Sequence, residues 1–168
     1  SNGRFYQGYN FSFTEPWLGG KKPNSLSVWT NHTALSSNGL LKTNPAYTGI
    51  SISSVGVGLQ RRKKWPDDYF TAYYELSYQY YDVNNDFRFP IFPKGYSNDI
   101  ALKYVLQRSS VSAPIYPQSG SNFTLTAKST FPYSFFEKDV DYASMSLSER
   151  FLYLEYFKFK FTGEWYIP

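Results

Sequence analysis

The chain has 168 residues, enough for one domain with a sizeable core, and its mean hydropathy of −0.47 leaves no apolar run near the ~18 residues that a membrane helix needs. It has no cysteine, which excludes a disulfide framework and a thiolate metal site. A net charge of +4 permits an anionic partner, yet the only basic cluster, Arg61 to Lys64, runs straight into Trp65, Pro66, Asp67 and Asp68, the composition of a charged turn and not of a nucleic-acid interface.

In chain order, apolar and polar residues alternate almost everywhere, and helical spacing is almost nowhere. From about Gly3 to Glu15, Phe5, Tyr9, Phe11 and Phe13 share one parity, while Arg4, Asn10, Ser12 and Thr14 share the other. A second segment, Asn24 to about Leu35, sets Leu26, Val28 and Thr30 against Ser27, Trp29 and Asn31. The third, about Thr48 to Gln60, changes phase, with Ile50 and Ile52 on one parity and Val55, Val57 and Leu59 on the other; a bulge near Ser53 and Ser54 is the expected cause. The fourth, about Asp68 to Val83, carries Phe70, Ala72, Tyr74, Leu76, Tyr78 and Tyr80 on one face and Thr71, Glu75, Ser77 and Gln79 on the other. The fifth, about Ser97 to Ser109, sets Ile100, Leu102, Tyr104 and Leu106 against Asp99, Lys103 and Gln107. The sixth opposes Phe123, Leu125 and Ala127 to Asn122, Thr124, Thr126 and Lys128, and the seventh, about Arg150 to Tyr166, interleaves Phe157, Phe159 and Phe161 with Lys158, Lys160 and Thr162. These segments predict about seven strands and no helix.

Several of these segments run to about 10 to 15 residues, against the ~5 to 6 usual in soluble sheets. A sandwich buries an apolar face against a second sheet, whereas here one face is apolar and the other rich in Asn, Gln, Thr, Lys and Glu. Lipid outside and a watery lumen inside fit that pattern. The expected fold is therefore all-β, an antiparallel up-and-down transmembrane β-barrel in part, with residues 1–168 one piece of a single barrel domain. Connections near Pro16 to Pro23, Arg61 to Asp67 and Ser110 to Gly120 alternate with longer ones near Ser36 to Ala46, Asn84 to Tyr96 and Phe131 to Glu149. The longer set is expected at the cell surface and the shorter at the periplasm. Trp17, Trp65 and Tyr116, in the short set, are then membrane-interface aromatics. Phe157, Phe159 and Phe161 are expected to face lipid, and Glu75, Lys103, Lys158 and Lys160 the lumen. The 17 Tyr, 15 Phe and 4 Trp find a use at such a boundary, where a ring buries its body and keeps its polar edge wet.

The stretch from Arg4 to Ser25, RFYQGYNFSFTEPWLGGKKPNS, resembles a strand and periplasmic turn of the BamA family, the barrel insertases of the outer-membrane assembly machinery. Its Leu18 to Pro23 portion looks like the form found in Bacteroidota. Ile115 to Lys128, with Pro117 and Gly120 in a Pro-x-x-Gly turn, is similar to a turn and strand in the middle of that barrel. The resemblance implies that the chain supplies about seven of sixteen strands, roughly the fourth to the tenth. It implies that the POTRA repeats, the gate between first and last strands and the Arg-Gly-Phe loop lie outside the sequence, so no functional residue of the family transfers. The chain is expected to be an interior piece of a longer protein. The implied function is that of the central subunit of the β-barrel assembly machinery, folding and inserting outer-membrane proteins in the Gram-negative outer membrane. The implied partners are outer-membrane lipids, nascent β-barrel proteins and accessory lipoproteins, with no cofactor and no nucleic acid.

No enzyme is expected. His32 is the single histidine, expected at the surface near a strand end, and Glu75, Glu155 and Glu164 have no spacing that suggests paired acid–base chemistry. The sequons beginning at Asn10, Asn31 and Asn122 fall inside strands and are read as chance. Two alternatives stand beside the insertase: a passive porin or transporter barrel, and a soluble β-sandwich whose aromatic rows stack on carbohydrate.

Overall fold

The computed structural model describes residues 3–20, 24–113, 115–136 and 143–167. Lys21, Lys22 and Pro23 of the first turn motif, and Glu137, Lys138 and Asp139 of the last connection, lie outside the described residues. The seven alternating segments form seven strands: β1 (Tyr6–Glu15), β2 (Ser25–Ser36), β3 (Gly49–Arg62), β4 (Phe70–Asn84), β5 (Lys94–Ser109), β6 (Gly120–Thr130) and β7 (Phe157–Tyr166). They make one sheet in chain order, each strand antiparallel to the next, which is the topology that hairpin connections alone can build. Among the described residues no helix is long and apolar enough to cross a membrane.

The register runs through β3 without a break: Val55, Ser54, Ser53 and Ile52 pair in turn with Thr30, Asn31, His32 and Thr33 on one side and with Tyr78, Gln79, Tyr80 and Tyr81 on the other. The expected bulge at Ser53 and Ser54 is therefore absent. The phase change has a different cause. Ile50 and Ile52 point to the face opposite Val55 and Val57, and there the 85–93 connection folds back over the sheet. Ile50, Val83 and Phe92 form a small buried core, with Leu35, Tyr81, Phe89, Ile91 and Phe151 packed around it. Phe92 is fully buried, and its ring meets Phe89 edge-on at 5.0 Å. One strand thus serves two apolar environments on its two faces.

A polar clip fastens that connection. Asp86 is buried; its carboxylate accepts hydrogen bonds from Arg88 Nε at 2.8 Å, Arg88 N at 2.9 Å and Ser37 Oγ at 2.9 Å, and pairs with Arg88 Nη2. Arg88 also donates to the Leu35 carbonyl at 3.3 Å, so the clip spans β2, the 37–48 connection and the 85–93 connection. These donors, the guanidinium first, hold the Asp86 carboxyl down at about 2, against an ordinary 3.8.

The seventh strand starts at Phe157 and not near Arg150. Ser146 and Glu149 cap each other reciprocally and start a short helix, α1 (Leu147–Arg150), that the alternation did not predict. The chain then returns along β5 above the point where β6 ends. Asn98 N donates to Leu152 O at 2.8 Å and Leu154 N to Asn98 O at 2.9 Å, a parallel bridge that occupies the upper edge of β5. Ser97 Oγ donates to Phe151 O at 2.6 Å and secures the turn after α1. The last connection is accordingly longer than the sequence implied, 131–156.

Two outcomes test this account. Because the Asp86 carboxyl is depressed, the clip's contribution is fully present above the ordinary carboxylate value and is lost as pH falls through about 2. Proteolytic cutting within 85–93, probed with an acid-active protease between about pH 4 and pH 2, is expected to rise steeply for the parent protein. Asp86→Ala, already released at pH 4, is expected to show no such rise. In the sheet itself, a Cβ at Gly56 would sit 2.5 Å from the Trp29 ring. Gly56→Ala is expected to cost about 1–3 kcal/mol, read as a lower temperature for loss of the folded gel-mobility form.

Candidate functional site

With the register unbroken, each strand parity maps to one face of the whole sheet. The apolar face carries Tyr9, Phe11 and Phe13 from β1, Val28 from β2, Val55 and Val57 from β3, and Leu76 and Tyr78 from β4. Ile100, Leu102 and Tyr104 from β5, Leu125 from β6, and Phe157, Phe159 and Phe161 from β7 complete it. The three β7 phenylalanines are 68–74% exposed, far from the burial expected of a sandwich core.

The apolar band crosses the ladder obliquely. In β1 its centre is Phe11, whose cross-strand row contains Thr30, Val55, Tyr78 and Ile100. In β6 and β7 its centre is Leu125 and Phe161, whose row contains Leu106, Ala72 and Arg61. From Val55 to Arg61 is six residues, so the band slides about 20 Å along the strands while crossing about 24 to 29 Å of sheet. Strands are thus inclined by roughly 35–40° to the normal of the band, within the range of about 35–45° for transmembrane barrels. In β3 the band lies between Ser53 and Arg61, about 26 Å along the strand and about 21 Å in height once tilt is included, close to the ~25 Å of such barrels.

Both margins of the band are polar or aromatic. At the short-turn end, Arg108 pairs with Asp67 at 3.0 Å and lies over the rings of Tyr69 and Phe70 at 5.5 and 5.9 Å, and Lys63 lies over Tyr74 at 5.9 Å. Trp17, Trp65 and Tyr116 stand in the three turns of this end and are 53%, 84% and 88% exposed. Trp165, on the apolar parity of β7, joins them at the same end; only the parity of its neighbours Phe157 to Phe161 could have flagged it from sequence. At the other margin Tyr78 donates to Asn98 at 2.7 Å, and Tyr80 stacks on Tyr96. His32 lies within β2 and not at its end, on the apolar face, bonded to Ser53 at 2.9 Å and stacked on Tyr9.

The opposite face is polar and partly cationic. Glu75 accepts from Tyr73 at 2.7 Å and pairs with Lys103 at 3.6 Å, and Lys103 continues across the sheet into Lys128 and Lys158, one row. Lys160 sits two residues on, on the same parity. Buried Asp99 balances Lys128 at 3.5 Å and accepts from Tyr156 at 2.9 Å. Trp29 spreads over Gly56, and Tyr73 over Gly58, so a glycine beneath each ring lets it lie against the sheet. Asn10, Asn31 and Asn122 lie within β1, β2 and β6 on this face. Glu164 is on this parity as well, whereas Glu155 lies outside the strands and accepts from the Ser134 hydroxyl at 2.7 Å. No group of His, Asp and Glu that would hold a metal ion is present among the described residues.

No family model and no curated protein matches the sequence. Among solved structures, the chain is similar to the crystal structure of BamA from Haemophilus ducreyi lacking POTRA domains 1–3, with a TM-score of 0.54 and 18% sequence identity. The likeness covers 76% of this chain and 26% of that chain, so the chain spans about a quarter of the protein it matches. At that identity the likeness concerns the fold: this sheet is a section of a BamA-like β-barrel.

Proposed function

We propose that this chain is part of the membrane-spanning wall of a BamA-type assembly factor in the outer membrane of a Gram-negative bacterium, whose whole protein folds and inserts other outer-membrane barrels. The observation that carries the reading is the oblique apolar band, whose height and inclination are those of a bilayer-crossing barrel, on a sheet with the BamA-like fold. Phe157, Phe159 and Phe161 then face lipid, and Glu75, Lys103, Lys158 and Lys160 face the lumen. Trp17, Trp65, Tyr116 and Trp165 mark the periplasmic interface, and the 37–48, 85–93 and 131–156 connections reach the cell surface. The partners of the whole protein are lipids, nascent barrel proteins and accessory lipoproteins. In this reading the wall performs no covalent chemistry; it holds its section of a tilted ladder in register.

Three measurements test the reading. Phe159→Arg is expected to destabilise the folded protein by up to about 2–4 kcal/mol, because the position lies near the middle of the band, whereas Lys160→Arg is expected to change little. Equal losses would remove the assignment of faces. A cysteine at Leu41, in the 37–48 connection, is expected to react with an impermeant reagent on intact cells, and one at Gln118 only after the outer membrane is opened. The opposite pattern would invert the topology. Depletion of the whole protein is expected to lower the assembled amounts of unrelated outer-membrane barrels before growth stops. Unchanged barrel assembly with altered solute uptake would instead establish a passive pore.

A further inference from the structure

The outward parity of β6 does not stop where the strand stops. Phe131 N donates to Ile100 O at 3.0 Å, one step beyond the Ala101–Thr130 pair, so Phe131 extends the row of Tyr78 and Ile100 on the apolar face. A tight turn, Tyr133–Phe135, then folds the chain back on itself. Phe136 stacks on Phe131 at 5.4 Å with ring planes 9° apart, and Phe135 meets Phe136 edge-on at 5.5 Å. Tyr133 meets Phe131 edge-on at 5.1 Å and stacks on Tyr153 at 4.3 Å. Tyr153 bridges to Asn98, whose side chain belongs to the outward parity, so the segment returning after α1 supports the cluster from behind. Phe135 and Phe136 are nonetheless 72% and 66% exposed. Stacked rings ordered by two chain segments and still open to solvent are costly in water and need a less polar neighbour.

Their height identifies that neighbour. Phe131 is six residues beyond Leu125, the centre of the band in β6, which places it about 20 Å along the strand and about 16 Å above the band's centre after tilt. A hydrocarbon core of ~30 Å ends about 15 Å from its centre, and headgroups extend several ångströms further. Phe131, Tyr133, Phe135 and Phe136 therefore meet the boundary between acyl chains and headgroups, where aromatic rings are most favourable. We propose that this five-ring cluster, completed by Tyr153, is a wedge that inserts into the outer-leaflet interface and anchors the 131–156 connection to the lipid surface. Its partner is the lipid itself, not a protein docked on the loop.

The inference rests on the membrane reading above, and the test separates the two. In the whole protein, freed of any native cysteine, single spin-labelled cysteines are placed at Leu125, in the band, and at Phe135 and Phe136, in the wedge. The protein is reconstituted into phospholipid vesicles, with folding verified by gel mobility, and each label's collision rate is measured with oxygen, which concentrates in lipid, and with a water-soluble nickel chelate. The expected order of the oxygen-to-nickel ratio is Leu125 highest, Phe135 and Phe136 intermediate, and a label at Leu41 lowest. Wedge labels as nickel-accessible as Leu41, with Leu125 still deep, would overturn the wedge alone. Wedge labels shielded from both reagents would show a protein covering the loop and would also overturn it. A nickel-accessible label at Leu125 would overturn the membrane reading, and the wedge with it.

Discussion

Everything in this sheet depends on an unbroken ladder of backbone hydrogen bonds. Strand side chains alternate with a period of two, so one bulge would exchange the faces of all residues beyond it. None interrupts the six pairings among the described residues. A row that begins at Phe11 therefore reaches Ile100 without changing face, and a second row runs from Arg61 to Phe161. The tilt of the band is a property of the sequence only because the register is exact. Had β3 bulged at Ser53, Ile50 and Ile52 would have turned to the face of Val55, Val57, Phe13 and Leu76, and the core beneath the 85–93 connection would have lost Ile50.

The alternation made all seven strands legible, since each carries at least three apolar residues of one parity flanked by polar ones. Two features were not legible, for different reasons. The phase change between Ile52 and Val55 records a second apolar environment, the core beneath the 85–93 connection, and parity within one strand cannot distinguish a kinked ladder from a second core. The helix α1 is a single turn, shorter than the period over which an amphipathic pattern can be read, and its signal was the local capping pair Ser146 and Glu149. The faces of Phe157, Lys158, Phe159, Lys160 and Phe161 could be assigned from sequence because strict alternation leaves two solutions related by exchange. What each face meets required the height and slope of the whole band, which no single strand contains.

The polar face obeys a different rule. Lys103, Lys128 and Lys158 lie side by side, an arrangement that costs free energy in a dry interior because like charges directly opposite repel. Glu75 and Asp99 offset two of them, and rings at Tyr73 and Tyr156 lie within 5.6 and 5.3 Å of the Lys103 and Lys128 ammonium groups. The row is tolerable only where water of high dielectric reaches it, as it does in the lumen of a wide barrel. Charge on this face and phenylalanine on the other are the two faces that a single layer between lipid and water calls for.

A single layer with two solvents also constrains its own edges. The outer edges of β1 and β7 present N–H and C=O groups to which none of the described strands is bonded. In water such an edge invites further strands; in lipid each unpaired group costs several kcal/mol, and the sum over a strand exceeds the net stability of a typical domain. Closing these seven strands alone with the polar face inward would bury Lys103, Lys128 and Lys158 in an interior too narrow to hold water and would still leave the phenylalanines facing outward. The arrangement that satisfies edges, phenylalanines and lysines together is a ladder continued by further strands until it closes around a water-filled space. Closure is thus demanded by the same residues that define the faces.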